Sequence, residues 1–209
     1  MSQKGTATEL GEQPIGKLLT QYAVPAIIAM TASSLYNMID SIFIGHGVGA
    51  MAISGLAITF PLMNLAAAFG SLVGVGASTL VSVKLGQKDY ATAQLILGNV
   101  VSLNVLIGIG FTILTLLFLD PILYFFGASE ATLPYARDYM IVILLGNVVT
   151  HMYLGLNSVL RAAGYPQKSM FATIMTVIIN TILAPIFIFV FHWGIQGVAM
   201  ATVLAQIIA

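Results

Sequence analysis

Five stretches without a single Asp, Glu, Lys or Arg occupy most of this 209-residue chain. A helix of roughly 20 apolar residues is long enough to cross the hydrocarbon core of a bilayer. Only 7% of the residues are charged, whereas soluble domains carry about 25%, so most of the surface must face lipid. The sequence therefore predicts an all-α integral membrane protein. The five stretches are residues 18–39, 41–83, 90–119, 139–160 and 169–209.

Turn residues divide the two longest stretches, at positions 45–49 and 192–194. The result is six predicted transmembrane helices that form one lobe over residues 17–209. Residues 1–16 lack the apolar core of a signal peptide, so we expect a cytoplasmic N-terminal segment there. The sixth helix is short for a span, and we therefore expect a truncation within it. The predicted helices are 17–44, 50–83, 91–119, 135–160, 169–191 and 195–209.

The basic residues are distributed unevenly between the two ends of the predicted helices. Cytoplasmic loops of membrane proteins carry an excess of Lys and Arg. One end holds six of the seven basic residues, and Arg137 alone lies at the other. We therefore expect the N-terminus and loops 2–3 and 4–5 to be cytoplasmic. Aromatic residues suited to the opposite interface are Tyr124, Phe125, Phe126, Tyr135, Tyr139 and Trp193.

Asp40 is the one carboxylate predicted to lie inside a membrane span. A charged side chain at the bilayer centre costs about 2.5–3.5 kcal/mol on insertion scales. Counting from Gly45, the helical rise places Asp40 about 8 Å from the outer end. Tyr36 lies one turn before it on the same face, and Asn37 lies three residues away. Two interpretations are open: a solvated or capping Asp near the headgroups, or a proton or cation site facing the bundle interior.

Two further polar residues are predicted at a similar depth on other helices. Asn180 lies near the middle of the fifth helix, and Thr202 lies about 12 Å from the outer end of the sixth. Together with Asp40 and Tyr36, they are predicted to meet in the outer half of one bundle. The alternative for Asn180 and Thr202 is ordinary hydrogen bonding between helices, worth about 0.6 kcal/mol per contact.

Other polar and kinking residues inside the spans are weaker candidates. Five polar side chains could line a cavity, although a lone His such as His151 is more often a packing residue. Proline removes a backbone hydrogen bond and bends a helix, so Pro25 and Pro61 are candidate bending points. The cavity candidates are Asn37, Asn64, Asn147, His151 and Thr176.

Several function classes are excluded or disfavoured by what the sequence lacks. The chain has no cysteine and a formal net charge of zero. It has no basic run with interleaved aromatics, which argues against a nucleic-acid partner. It shows no catalytic triad, paired carboxylates, metal-ligand spacing or phosphate loop. We therefore expect neither an enzyme nor a cofactor, and no metal site apart from a coupling ion.

Five motifs are spread over nearly the whole chain. They are Tyr36-Asn-Met-Ile-Asp40-Ser-Ile-Phe-Ile-Gly45, residues 74–89, Arg161-Ala-Ala-Gly-Tyr-Pro166, Asn180-Thr-Ile-Leu-Ala-Pro185 and Gly197-Val-Ala-Met-Ala-Thr202. Together they resemble the multidrug and toxic compound extrusion (MATE) family of transporters, and the first is similar to the first helix of that family. No single motif would suffice, and the combination is what makes the resemblance specific.

The resemblance implies a secondary active antiporter in the bacterial inner membrane. Members of the family have two six-helix lobes and export cationic or amphiphilic compounds by alternating access. Export is coupled to inward flow of H⁺ or Na⁺. The resemblance assigns the coupling site to Asp40, Tyr36, Asn180 and Thr202, and it implies a small-molecule substrate, membrane lipid and a second lobe as partners.

The chain departs from the family pattern at one position of the fifth helix. Many members carry an Asp immediately before the proline there, and this chain has Ala184, which leaves the coupling ion open. One lobe is present where the family has two. A related lipid or oligosaccharide flippase is one alternative, although such a protein would need basic residues in its cavity to bind phosphate groups. A non-transporting membrane scaffold made from one lobe is another.

Overall fold

The computed structural model describes residues 14–209, and every regular element in that range is helical. The N-terminal segment predicted for residues 1–16 therefore lies almost wholly outside the described residues. The helices are α1 (Ile15–Gly47), α2 (Ala50–Gly86), α3 (Tyr90–Leu117), α4 (Leu119–Phe125), α5 (Leu133–Leu145), α6 (Asn147–Ala162), α7 (Pro166–Pro185) and α8 (Gly194–Ile208). A π-helical turn, Ile186–Val190, continues α7.

Four helical segments of the described chain are long and apolar enough to cross a membrane by themselves. They are α1, α2, α3 and α7 with its π-helical turn. The pair α5–α6 is a fifth candidate if its two bent halves are taken together, and α8 is an apolar helix shorter than a span. The prediction of an all-α membrane protein is confirmed, while the count of six spans is not.

The predicted helix 135–160 is where sequence and structure differ most. It consists of α5 and α6, which meet at an angle of 59°. Gly146 lies at the break, and a Cβ atom there would be 2.3 Å from Cγ2 of Val203 on α8. Only glycine lets α8 approach so closely. The sequence also gave no sign of the short helix α4, which lies inside the segment predicted to connect the third and fourth helices.

Neither proline proposed as a bending point interrupts its helix. Pro25 lies inside α1 and Pro61 inside α2, and both helices run continuously through them. Their role in bending stays a prediction. The 59° break between α5 and α6 lies instead at Gly146, where another helix approaches closely.

The side chains divide into a packed interior and an apolar exterior. The largest buried cluster joins α1, α2, α5 and α8 and includes Ile44, Leu62, Met140 and Val198. Many large apolar side chains are exposed on the outside, among them Leu106 at 66%. In water such a surface would be unstable, and in a bilayer it is in contact with its natural solvent.

Candidate functional site

Asp40 lies on α1 and is the one acidic side chain that is buried among the residues the structure describes. It is 5% exposed, which argues against a solvated carboxylate at the headgroups. Its Oδ1 atom is buried and has no hydrogen-bond partner within residues 14–209. A buried carboxyl needs a proton, a cation or hydrogen-bond donors to offset its removal from water. Asp40 therefore has the environment of an ion- or proton-binding group.

Three polar side chains from three helices meet at the hydroxyl of Thr202. The Thr202 hydroxyl donates to the Val198 carbonyl at 3.1 Å, which uses its single proton. It can then only accept from Asn180 Nδ2 at 3.0 Å and from the Tyr36 hydroxyl at 3.0 Å. The Tyr36 hydroxyl also interacts with the carboxyl of Asp40. The structure thus brings together the four residues that the depth argument placed side by side.

Two oxygen atoms of this group accept no hydrogen bond from the described residues, and they indicate which ligand the group could bind. Oδ1 of Asn180 is buried and, like Oδ1 of Asp40, lacks a hydrogen-bond partner in the described chain. Two unpartnered acceptor oxygens favour a proton on the carboxyl or a small cation nearby. Since the Tyr36 hydroxyl donates to Thr202, it is not at the same time a donor to Asp40. It could switch between them by rotating about its C–O bond.

Tyr139 joins this group, and the sequence placed it wrongly. It was assigned to the interfacial aromatics, but on α5 it is only 3% exposed. Its phenol interacts electrostatically with Asp40 and with Tyr36. The sequence contained a signal for this burial, because apolar residues recur along α5 at the spacing of one helix face, and the structure buries this stripe. The stripe consists of Ala136, Tyr139, Met140, Ile143 and Leu144. We call Asp40, Tyr36, Tyr139, Asn180 and Thr202 the Asp40 cluster.

Ala184, which stands where many family members have a carboxylate, is fully buried. It lies one helical turn after Asn180 and packs in a small apolar cluster with Phe187 and Ala201. A packed methyl group therefore occupies the place of a second acid. Asp40 is left as the sole buried negative charge that the described residues can provide.

The five cavity candidates lie in four different places. Asn37 and Asn64 are exposed on α1 and α2, and the Asn37 amide donates to the Ser33 carbonyl at 3.0 Å. Thr176 is half-buried on α7 and donates to the Tyr153 hydroxyl at 3.2 Å. The structure does not bring these three together, and their role in a cavity stays a prediction.

Asn147 and His151 are buried where α6 packs on α2 and α3. Asn147 Nδ2 donates to the Gly108 carbonyl at 3.4 Å. His151 is fully buried against Gly70 and Gly108. Asn104 on α3 lies in the same interface and packs on Gly155. We call Asn104, Asn147 and His151 the His151 cluster, and all three side chains are buried.

An open groove lies on the exposed side of α1, and none of its lining residues belongs to the Asp40 cluster. It has a volume of about 480 Å³, within the range of roughly 300–1,000 Å³ that small-molecule sites occupy. Most of its lining is apolar, and His46 and Ser41 supply the polar groups. The lining residues are Met38, Ser41, Ile42, Gly45, His46 and Ile53. Its shape and chemistry suit an apolar compound with a few polar groups.

The helices are apolar and long enough to cross a membrane. They pack around one buried acid that has hydroxyl and amide neighbours. These features define a multi-pass membrane protein with an ionisable group inside its helix bundle. The MatE family model matches residues 25–186. The chain belongs to the MatE family, as the sequence motifs indicated.

Comparisons with known proteins agree with this assignment. The multidrug export protein MepA of Staphylococcus haemolyticus (strain JCSC1435) is 32% identical over 198 residues, or 95% of this chain and 44% of that protein. A crystal structure of MATE in the bent conformation has a TM-score of 0.88 at 26% identity, covering 97% of this chain and 45% of that one.

An outward-facing multidrug resistance MATE family transporter of the MOP superfamily has a TM-score of 0.84 at 27% identity, covering 91% of this chain and 42% of that one. This chain therefore spans less than half the length of these relatives.

Proposed function

We propose that this chain is the N-terminal lobe of a secondary active antiporter that exports drug-like or cationic amphiphilic compounds. Inward flow of H⁺ would drive export by alternating access. The observation that carries the proposal is the burial of Asp40 beside Tyr36, Asn180 and Thr202, with an unpartnered carboxyl oxygen. The names of the relatives, a multidrug export protein and a multidrug resistance transporter, support the class of substrate.

The proposed coupling rests on two protonation states of Asp40 that favour two arrangements of the lobe. When Asp40 is ionised, the Tyr36 hydroxyl is needed as a donor to it and leaves Thr202. When Asp40 is protonated, Tyr36 can donate to Thr202, as it does here. A change at one carboxyl would thereby alter the contact between α1 and α8. A ligand shifts an equilibrium only through such a difference between two states.

We favour H⁺ over Na⁺ as the coupling ion because this site has one negative charge. A bare cation would need several oxygen ligands to replace its hydration shell. Asp40 and Asn180 each offer one free oxygen, and Ala184 offers none. A proton needs a single oxygen, which Asp40 supplies.

The proposal includes a location and a partner. The distribution of Lys and Arg favours an orientation with the N-terminus and the 87–89 and 163–165 loops in the cytoplasm. The family resemblance favours the cytoplasmic membrane of a bacterium as the location. Because the relatives are more than twice as long as this chain, a second six-helix lobe is the expected partner. The groove that contains Met38 and His46 is the surface we propose for substrate.

Neutralising Asp40 tests the coupling directly. In the complete protein encoded by the gene, reconstituted into liposomes, Asp40→Asn should abolish substrate transport driven by a proton gradient while leaving membrane insertion intact. Glu130→Gln, which alters an exposed loop acid, should transport at the wild-type rate. Normal transport by Asp40→Asn would contradict the proposal, as would transport by the wild type that responds to Na⁺ alone.

Thiol labelling tests the orientation against a clean background, since the chain has no cysteine. Single cysteines at Gln87 and Gln167 should resist a membrane-impermeant reagent in intact cells, and one at Ser129 should react. All three positions are exposed, so accessibility within the fold does not bias the comparison. The reverse pattern would overturn the orientation and leave the coupling proposal untouched.

A further inference from the structure

The groove on the exposed side of α1 has two hydrogen-bonding side chains in its lining, and each donates a proton to its own helix. The Ser41 hydroxyl donates to the Asn37 carbonyl at 2.9 Å. Nδ1 of His46 lies 3.0 Å from the Ile42 carbonyl oxygen. Because a carbonyl oxygen can only accept, Nδ1 carries the proton of that hydrogen bond. The helix therefore uses the one proton of each side chain.

The atoms that remain for a ligand are acceptors. In the neutral imidazole of His46, the proton on Nδ1 leaves Nε2 with a lone pair and no hydrogen. The Ser41 oxygen also keeps lone pairs after it has donated its proton. Among the described residues, no donor forms a hydrogen bond to either atom. The His46 side chain is exposed and lines the groove, so Nε2 is available to a ligand that brings its own donor.

The charge around His46 favours a cationic donor. Within residues 14–209, the groove is lined by no Asp, Glu, Lys or Arg. Gly45 and His46 lie in the last turn of α1, which ends at Gly47. The carbonyl groups of a last turn carry a partial negative charge that stabilises a nearby cation. Positive charge is therefore favoured at this end of the groove, and no basic residue of the lining repels it.

The apolar lining determines what the rest of the ligand can be. Met38 and Ile42 on α1 and Ile53 on α2 are exposed apolar side chains that line the groove. A Cβ atom on Gly45 would lie 2.8 Å from Cδ1 of Ile53, so glycine lets Ile53 pack over the α1 backbone. Methionine adapts its shape to different apolar partners. An alkyl or aromatic body fits against these side chains while its polar head lies at His46.

We propose that His46 determines the specificity of this groove, because its Nε2 accepts a hydrogen bond from the N–H of a protonated amine. The groove then binds amphiphilic primary, secondary or tertiary ammonium compounds in preference to quaternary ones of similar shape. This inference rests on the function proposed above and narrows its substrate class. A quaternary ammonium has no N–H, so its binding would leave Nε2 unpaired. The acyl chain of a lipid or an apolar helix of a second lobe would do the same.

Two compounds that differ by one N–H test this preference in the complete protein, held in lipid nanodiscs at pH 8. They are decyldimethylamine, which carries a proton on its nitrogen at this pH, and decyltrimethylammonium. Empty nanodiscs of the same lipid correct each titration for partitioning into the bilayer. We expect the wild type to bind the protonated amine about tenfold more tightly, since a hydrogen bond to a charged group contributes on that scale. Equal Kd values would overturn the proposal and leave the coupling at Asp40 standing.

Substitution of His46 tests the role of Nε2. His46→Leu should abolish the preference by weakening the binding of the amine, while the Kd of decyltrimethylammonium stays within about twofold of wild type. His46→Gln keeps an acceptor oxygen on the side chain and should retain part of the preference. Ser34→Ala removes an exposed hydroxyl of α1 outside the groove, and as the control it should change neither Kd. A full preference in His46→Leu, or none in His46→Gln, would contradict the role of Nε2.

Occupancy of the groove has a separate test. Ile53→Trp places a larger side chain in the groove and should weaken the binding of both compounds alike. If Ile53→Trp bound both with wild-type Kd values, the groove would not be their site, as expected where lipid or a second lobe covers it. Absence of binding of either compound to the wild type would refute this inference together with the proposed substrate class. Absence of proton-driven transport with the preference intact would refute the coupling proposal alone.

Discussion

The lobe buries two groups of polar side chains, which differ in their ionisable groups and in how closely neighbouring helices pack on them. The Asp40 cluster contains one acid, two phenols, a hydroxyl and an amide from four helices, and Tyr36 within it is half-buried. The His151 cluster consists of two amides and one imidazole and contains no acid. Glycines of neighbouring helices pack against it. A Cβ atom on Gly155 would lie 2.2 Å from Asn104 Nδ2, and one on Gly70 would lie 2.8 Å from the His151 ring.

This difference shows that burial of polar atoms does not by itself mark a functional site. Both clusters hold side-chain atoms without hydrogen-bond partners in the described chain: both ring nitrogens of His151, both amide atoms of Asn104, and one oxygen each of Asp40 and Asn180. Only the Asp40 cluster combines such atoms with an acid and with a hydroxyl that can change partner. The side chains of the His151 cluster pack closely on glycines of neighbouring helices. We therefore expect substitutions in the first to affect transport and those in the second to affect stability.

The largest effect should come from adding one methyl group beside the His151 cluster. In Gly74→Ala the new Cβ would lie 2.6 Å from the Gly155 Cα, so backbone must move, at a cost of about 1–3 kcal/mol or more. We expect a large fall in Tm and in the yield of folded protein in detergent. Gly76→Ala on the same helix meets nothing within 4 Å, and its Tm should be unchanged or higher. Equal Tm values for both variants would contradict the packing described here.

A matched pair of buried asparagines should separate the two clusters functionally. Asn180 and Asn104 are both fully buried, and leucine has the same number and branching of side-chain heavy atoms. Asn180→Leu removes the amide that donates to Thr202, so we expect at least about a tenfold loss of transport, equivalent to about 1.4 kcal/mol. Asn104→Leu replaces unpartnered polar atoms with carbon, which can be neutral or stabilising, and transport per folded molecule should be unchanged. The comparison would fail if Asn104→Leu lost transport and Asn180→Leu kept it.

Addition of a second acid to the Asp40 cluster should change how transport depends on pH. Ala184 lies one turn from Asn180, and two carboxyls that interact titrate as a coupled pair. We therefore expect Ala184→Asp to shift or broaden the pH dependence of transport relative to wild type. Ala184→Asn introduces similar bulk without a carboxyl and should lower the rate without moving the pH dependence. If both variants moved it alike, the effect would be one of packing.

The smallest effect is expected for an exposed acid, which serves as the reference for Asp40. Asp89 caps α3 by accepting a hydrogen bond from the Thr92 amide at 3.1 Å. Hydrogen bonding to Thr92, aided by the nearby Lys84, holds the pKa of Asp89 below its usual range. A folded-state pKa that is lowered adds stability above the unfolded pKa of about 3.9, and this is lost as the pH falls through the folded value.

Asp89→Asn keeps a good capping residue and removes the charge. We expect a slightly lower Tm than wild type at pH 7, and the gap should close as the pH is lowered toward 3. Transport should be unaffected at pH 7. A gap that widened on acidification would show that the sign of this linkage is wrong.

Some of the candidate site could be predicted from the sequence because depth along a helix follows from residue number. Asp40, Thr202 and Asn180 were assigned to the outer half of one bundle from the rise per residue, and Tyr36 to the face of Asp40 from helical periodicity. The hydrogen bonds at Thr202 connect three of these four. Tyr139 was missed because Arg137 and Asp138 beside it suggested an interface. The same stripe that buries Tyr139 leaves Arg137 outside the core, where it pairs with Asp120 at 3.3 Å.

The sequence by itself determined that this chain is helical and lies in a membrane. Without water in the hydrocarbon core, a long uncharged segment must satisfy its backbone within itself, and a helix does so locally. Only the tertiary structure showed where the predicted helix 135–160 breaks, and Gly146 at this bend packs against Val203 of another helix. It also decided that Tyr153 lies between Thr173 and Thr176. Such contacts join residues far apart in the chain, and helical periodicity gives each helix its faces without saying which neighbour each face meets.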